Sequence, residues 1–290
     1  MISADDLQVF LEVSRRGRLT EAAKILHVNH TTVSRHISRL EKATDRRLFD
    51  RRYDGWTLTE AGLRLLVHAE TVEAALLQAE DECASRDSSL SGQVRVIVPD
   101  GLGSYVVIPQ LGQLRRRHPQ LCIEIITANR HNSLAPREFD LAVTIERPHE
   151  RAVVVRKLVD YSLRFYASRD YLAEHRPISE VTDLYDHQLI WYLEDALDDA
   201  TYSQLFRIAP EARPHIQTNS ITGQILAACR GAGLCLIPSY IGDETTDLQR
   251  IDVAGAAVHK SYWVSAPKDL VKMSRVRTML DYLLAVASDL

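Results

Sequence analysis

Residues 29–52 read NHTTVSRHISRLEKATDRRLFDRR and hold seven basic residues against three acidic ones. The 290-residue chain as a whole is mildly acidic, with 35 Lys+Arg, 39 Asp+Glu and a formal net charge of −4. Residues 1–60 carry eleven basic and nine acidic residues, so the positive excess is confined to the N-terminal part. A local basic surface on an acidic body is the electrostatic footprint of a module that binds a polyanion.

Periodicity gives the stretch a shape. Val33, Ile37 and Leu40 fall on one stripe of a helix expected from about Thr31 to Thr44, while Thr31, Arg35, Ser38, Arg39 and Lys42 fall on the opposite face. Upstream, DDLQVFLEVSRRG sets Leu7, Phe10, Leu11 and Val13 at helical spacing before Gly17, and Thr20 is expected to cap a second short helix, EAAKILHV. Two short helices and an amphipathic third with a basic, hydroxyl-rich face describe a helix-turn-helix whose third helix enters the major groove. Downstream, RRLFDRRYDGWTLTEAG places apolar residues on both sides of a Tyr-Asp-Gly turn, a hairpin signal, with Arg51 and Arg52 at its root. That hairpin completes a winged helix. For the charges alone, a solvated helix face is the plain alternative, and the surrounding pattern argues against it.

The segments AAKILHVNHTTVSRHISRLE, LFDR and LTEAG, in this order and spacing, closely resemble the N-terminal domain of LysR-type transcriptional regulators. The resemblance implies double-stranded DNA as a partner. It puts His30, Thr31, Thr32, Ser34 and Arg35 at the start of the recognition helix, Ser38 and Arg39 further along it, and Arg51 and Arg52 in the wing. Two residues depart from the family pattern at the helix end: Thr44 replaces the usual Leu and Asp45 the usual Gly.

After the wing, a long helix is expected from a Thr59 cap. Leu65, Ala69, Val72, Leu76, Ala79 and Cys83 recur at alternating spacings of four and three, a coiled-coil-like seam. Pairing with an identical helix is the expectation; docking on the chain's own domain is the alternative. The resemblance also points to dimerisation through this helix, to dimers paired as tetramers, and to RNA polymerase as a partner. The expected organisation is a DNA-binding domain over 1–59, a linker helix over 60–87, a hinge over 88–92 and an effector-binding domain over 93–290.

From Gln93 short β-branched runs alternate with helical patterns: QVRVIVP, LCIEIIT, DLAVTI, LRFYAS, QLIWYL, GLCLIP and SYWVSA. Strands separated by helix-length segments mean an α/β domain with mostly parallel pairing. The resemblance continues through IPQLGQLRRRHPQLCIEII, FDLAVTI and ACRGAGLCLIPSYI, and so covers nearly the whole chain. It implies two α/β subdomains, about 93–160 with 267–290 and about 161–266, similar to periplasmic solute-binding proteins, with a small-molecule effector in the cleft between them. At strand ends and helix starts, the candidate effector contacts are Asp100, Ser104, Asn129, Arg147, Trp191, Asn219 and Ser220. Arg147 and the helix starts suit an anion, Asp100 suits an amine or hydroxyl, and the sequence leaves these balanced.

Enzyme signatures are missing: PDGLGSY lacks the third glycine of a dinucleotide fingerprint, and there is no GxxxxGK[ST], GxSxG or HExxH. Asp195, Asp198 and Asp199 form an acidic group for which a solvated loop is the simpler reading. No catalytic residue, metal or cofactor is expected. The alternatives are a Rossmann-like metabolic enzyme with an autoregulatory DNA-binding domain, and a solute receptor. The acidic N-terminus and the lack of any run near the roughly 18 apolar residues of a membrane span imply a cytoplasmic protein without a membrane partner. Cys83, Cys122, Cys229 and Cys235 lack metal-ligand spacing; reduced, mostly buried thiols are expected, with a Cys229/Cys235 redox pair as the alternative.

Overall fold

The computed structural model describes residues 1–52, 55–83, 90–128, 139–148, 153–194, 203–288 and 290. These divide into two compact units, Met1–Ser88 and Ser89–Leu290.

In the first unit, α1 (Ala4–Arg16), α2 (Leu19–Ile25) and α3 (His30–Thr44) precede a two-stranded wing, β1 (Phe49–Arg51) and β2 (Trp56–Leu58), and the long α4 (Glu60–Cys83). Apolar side chains at helical spacing make one core: Phe10, Leu11 and Val13 of α1, Ala22 of α2, and Val33, Ile37 and Leu40 of α3 are all fully buried. Each fully buried Leu, Val or Phe contributes roughly 1.5–3 kcal/mol, so this stripe outweighs the weak helix propensity of a segment rich in β-branched and hydroxyl residues. Gly17 ends α1 with a left-handed φ of 66°. Asp45, where glycine would relieve strain, closes α3 in the same left-handed region at φ 50°. The Thr44 hydroxyl donates to the Leu40 carbonyl at 2.9 Å, so both departures keep the helix end intact.

The root of α4 explains the LTEAG segment. Thr59 Oγ1 accepts from the Gly62 amide at 3.1 Å, and the Thr59 amide donates to the Leu48 carbonyl at 3.0 Å. A Cβ on Gly62 would lie 2.2 Å from the Leu48 carbonyl oxygen, so only glycine lets α4 start this close to the wing.

The seam expectation needs correcting over its first half. Ala69 is fully buried in this unit's own core, and Leu65 and Val72 pack against it. Arg15 of α1 reinforces that docking with two hydrogen bonds to the Glu73 carboxylate, at 3.0 and 2.6 Å. These positions bury against α1 because it offers apolar area within the same chain. Leu76 and Ala79 extend beyond the core and are exposed, as are Leu63 and Val67 on another face of α4. The side chain of Cys83 lies outside the described residues.

In the second unit one mixed sheet runs in the order β4-β3-β5-β11-β6-β9-β7-β8, with β10 on β6. The strands are β3 (Gly92–Val98), β4 (Leu121–Thr127), β5 (Leu141–Thr144), β6 (Val153–Ser168), β7 (Leu189–Tyr192), β8 (Pro214–Thr218), β9 (Leu234–Pro238), β10 (Leu248–Ile251) and β11 (Val258–Pro267). Helical pieces between them are α5 (Asp100–Leu102), a π-helical turn at Gly103–Val107, α6 (Ile108–Arg117), α7 (Arg169–Glu174), α8 (Gln204–Ile208), α9 (Ile221–Cys229), α10 (Ser239–Gly242) and α11 (Ser274–Ala287). Parallel pairs lie at the two ends, β3 with β4 and β5, and β7 with β8 and β9. The centre is antiparallel: β6 and β11 run past one another from Val153–Pro267 to Leu163–Val258 and join the two halves.

Cys235 is fully buried, Cys229 half-buried and Cys122 exposed. Burial pushes the Cys229 and Cys235 thiols up, which suppresses thiolate chemistry at both.

Candidate functional site

The N-terminal turn of α3 is built by Asn29, whose side chain accepts from the Thr31 amide at 3.0 Å. The helix therefore opens at His30, one residue before the expected start. With Val33, Ile37 and Leu40 turned inward, His30, Thr31, Arg35 and Ser38 are exposed and Thr32 and Ser34 are half-buried. The first turn contains no acidic residue, so hydroxyls, a histidine and an arginine meet the positive end of the helix dipole on one face.

One carboxylate sets the orientation of that helix. Asp6 is 1% exposed; Arg39 grips it bidentately, with Nε donating to Oδ2 at 2.8 Å and Nη2 donating to Oδ1. His36 Nδ1 lies 2.8 Å from Oδ1. Burial pushes the Asp6 carboxyl up, but hydrogen bonds from Arg39, Ser3 and His36 outweigh it and lower the pKa to about 2. Arg39, expected among the DNA contacts, is thus a clamp between α3 and α1, because a buried carboxylate requires a partner.

Arg51 is engaged similarly. Its Nη2 donates to Glu41 Oε2 at 2.7 Å, and its guanidinium lies 4.5 Å from the centroid of the Trp56 ring. Arg52 is exposed and lines an open groove of about 510 Å³ with Arg18, Leu19, Thr20, Gly55 and Trp56. The groove exists because the Trp56 amide donates to the Gly17 carbonyl at 2.7 Å, which sets the wing against the α1–α2 turn. Thr20 is not the cap of α2: Arg18 occupies that position without a side-chain bond, and Thr20 is exposed in the first turn.

In the second unit, Asp100 opens α5 beyond β3. Ser104 Oγ donates to its Oδ1 at 3.0 Å, and the Ile221 amide at the start of α9 donates to its Oδ2 at 3.3 Å. Phenols gather beside this junction. The Tyr161 and Tyr262 rings stack with centroids 4.1 Å apart, Tyr240 meets Tyr161 edge-on at 6.2 Å, and the Tyr240 and Tyr262 hydroxyls are 3.0 Å apart. Burial, then the charge of Asp100, pushes the Tyr192 phenol up. Ser220 Oγ accepts from the Gly223 amide at 3.2 Å as an ordinary helix cap, and Asn219 before it is exposed.

Residues 4–63 match the family described as a bacterial regulatory helix-turn-helix protein, lysR family, and residues 87–288 match the LysR substrate binding domain. The chain belongs to the LysR family. An HTH-type transcriptional regulator of Xanthomonas campestris pv. campestris is 27% identical over 208 residues, 67% of this chain and 60% of that protein. The regulator CrgA of Neisseria meningitidis serogroup C is 24% identical over 249 residues, 83% of this chain and 81% of that protein. Full-length CbnR, crystallised with its target DNA, shares the fold at a TM-score of 0.60 with 17% identity, covering 98% of this chain and 100% of that one.

This LysR-family chain is a DNA-binding transcriptional regulator with an effector-binding domain, and the enzyme alternative is not favoured. Of the effector residues read from sequence, Asp100, Ser104 and Ser220 come together at the start of α9. Arg147 does not join them; its guanidinium lies 5.3 Å from the centroid of the Trp263 ring. Trp191 is 2% exposed, a core residue of β7, and strand alternation turns its neighbour Tyr192 toward Asp100 instead. Asn129 and the Asp195, Asp198 and Asp199 group lie outside the described residues. Sequence reasoning missed Arg18, Asp6 and the tyrosines. An Arg before a short helix carries no pattern of its own, and contacts of Asp6 with residues 30 and 33 positions away leave no local signal.

Proposed function

We propose that the outer face of α3 reads base edges in the major groove through His30, Thr31, Thr32, Ser34, Arg35 and Ser38, while Arg52, Arg18 and Thr20 hold phosphates beside the wing. The observation that carries this is the division of α3: an inner stripe fully buried, Arg39 held on Asp6 by its guanidinium, and an outer face that keeps exposed hydroxyls and Arg35. Arg35 suits bidentate bonding to guanine, and the hydroxyls suit base edges or phosphates. Uncovered apolar residues of α4, Leu63, Val67 and Leu76, pair with a second copy of the chain, and RNA polymerase is the downstream partner. In this reading a small effector between the two halves of the second unit shifts the population of assemblies and hence DNA affinity or bending.

The test is fluorescence anisotropy on genomic sites recovered by the full chain from fragmented DNA. Arg35→Ala is expected to cost about 1–3 kcal/mol and to relax preference at one base pair. Arg52→Ala is expected to weaken binding to all sequences alike and to flatten the salt dependence. Unchanged base preference in Arg35→Ala removes it from the reading surface.

A further inference from the structure

The junction at Asp100 has a sign. Its carboxylate, from the first half of the sheet, sits at the start of α9 in the second half, where a ligand anion would otherwise find a helix amide. The backbone beside it is close-packed: a Cβ on Gly101 would lie 3.2 Å from both Ile221 Cδ1 and Ile241 Cδ1, and 3.6 Å from the Tyr240 hydroxyl. Around this point stand the rings of Tyr161, Tyr192, Tyr240 and Tyr262, and burial pushes the phenols of Tyr192, Tyr240 and Tyr262 up. Ring faces and a carboxylate favour a cation, and no lysine or arginine is among these residues.

Gln224 of α9 is completely buried, and neither its Oε1 nor its Nε2 has a hydrogen-bond partner among the described residues. Buried amides are almost always satisfied, so an orphaned one needs an explanation. Gln224 lies three residues after Ile221, on the same helix face. Helical side chains lean toward the N-terminus of their own helix, which here is the end that meets Asp100.

We infer that the effector of this domain is a small organic amine, its ammonium read by Asp100 and the tyrosine faces and a second polar group bonded by Gln224, and that matched carboxylates are excluded. The inference rests on the reading of this junction as the effector site. A carboxylate ligand at the α9 terminus would face the Asp100 charge at short range in a poorly solvated place, which repels it. An amine replaces the donors that Asp100 now uses and gains charge assistance.

The test is calorimetric titration of the full chain with size-matched pairs: butylamine and butanoate, 2-phenylethylamine and 3-phenylpropanoate, 4-aminobutanol and 4-hydroxybutanoate. Binding of at least one amine, with its carboxylate partner at least about tenfold weaker, is the expected result. Asp100→Asn is expected to lower amine affinity at least about tenfold, and Gln224→Leu to weaken the hydroxylated amine more than butylamine. Circular dichroism checks that both variants fold, and the wild-type ranking decides the matter without them. Preferential carboxylate binding overturns the amine assignment and leaves the effector site standing. Failure of both classes to bind at about 10 mM overturns the assignment and the site together.

Discussion

Asp6 shows how the docking of a whole helix rests on one buried carboxylate. Its carboxylate fixes Arg39 and His36, and with them the roll of α3 on α1. Because the folded pKa of about 2 lies below the usual 3.8, the contribution is complete above about pH 4 and is lost as pH falls through about 2. The shift corresponds to about 2 kcal/mol. Asp6→Asn is expected to lose about 1–3 kcal/mol at neutral pH in urea denaturation, and its deficit relative to wild type should shrink across that acid window. Equal stability at pH 7 removes the clamp. Asp45, in left-handed backbone at φ 50°, makes the opposite case: Asp45→Gly is expected to raise stability by about 0.5–1 kcal/mol, read as an upward shift in melting temperature.

At the scale of elements, segments with strong periodicity were legible. The stripe Val33, Ile37, Leu40 and the runs QVRVIVP, LCIEIIT, QLIWYL and GLCLIP became α3, β3, β4, β7 and β9. Strands β8 and β10 escaped because PHIQT and LQRI show no β-branched run, and only pairing with neighbours defines them. The length of β6 was also underestimated: LRFYAS is its last part, and the polar residues of VVVRKLVDY hid the rest. Helix α4 was read correctly as a helix and incorrectly as one seam, because periodicity cannot say which partner covers a stripe. That distinction is testable by sedimentation. Leu76→Asp and Val67→Asp are expected to give smaller species that still fold, since both residues are uncovered. Ala69→Asp buries a charge inside the domain core and is expected to unfold the first unit instead. Intact assemblies in both exposed variants place the contact elsewhere.

For the whole molecule, charge is divided by function. The polyanion-facing surface is basic, while a chain with net charge −4 keeps its larger unit acidic and limits indiscriminate binding to nucleic acid. The helix-turn-helix with its wing was legible around residues 29–52 because such a unit is encoded locally. The junction at Asp100 was only half legible: Asp100 and Ser104 follow a strand in sequence, whereas Tyr192, Tyr240 and Tyr262 come from distant segments. The central claim is that the α3 face confers sequence-specific DNA binding on this chain. Its most direct measurement is the affinity of the full chain for a recovered genomic site against a shuffled version of that site, by anisotropy at about 0.15 M salt. The expected result is a preference of about a thousandfold or more for the recovered site, with affinity falling steeply as salt rises. Equal affinity for the shuffled site would contradict it.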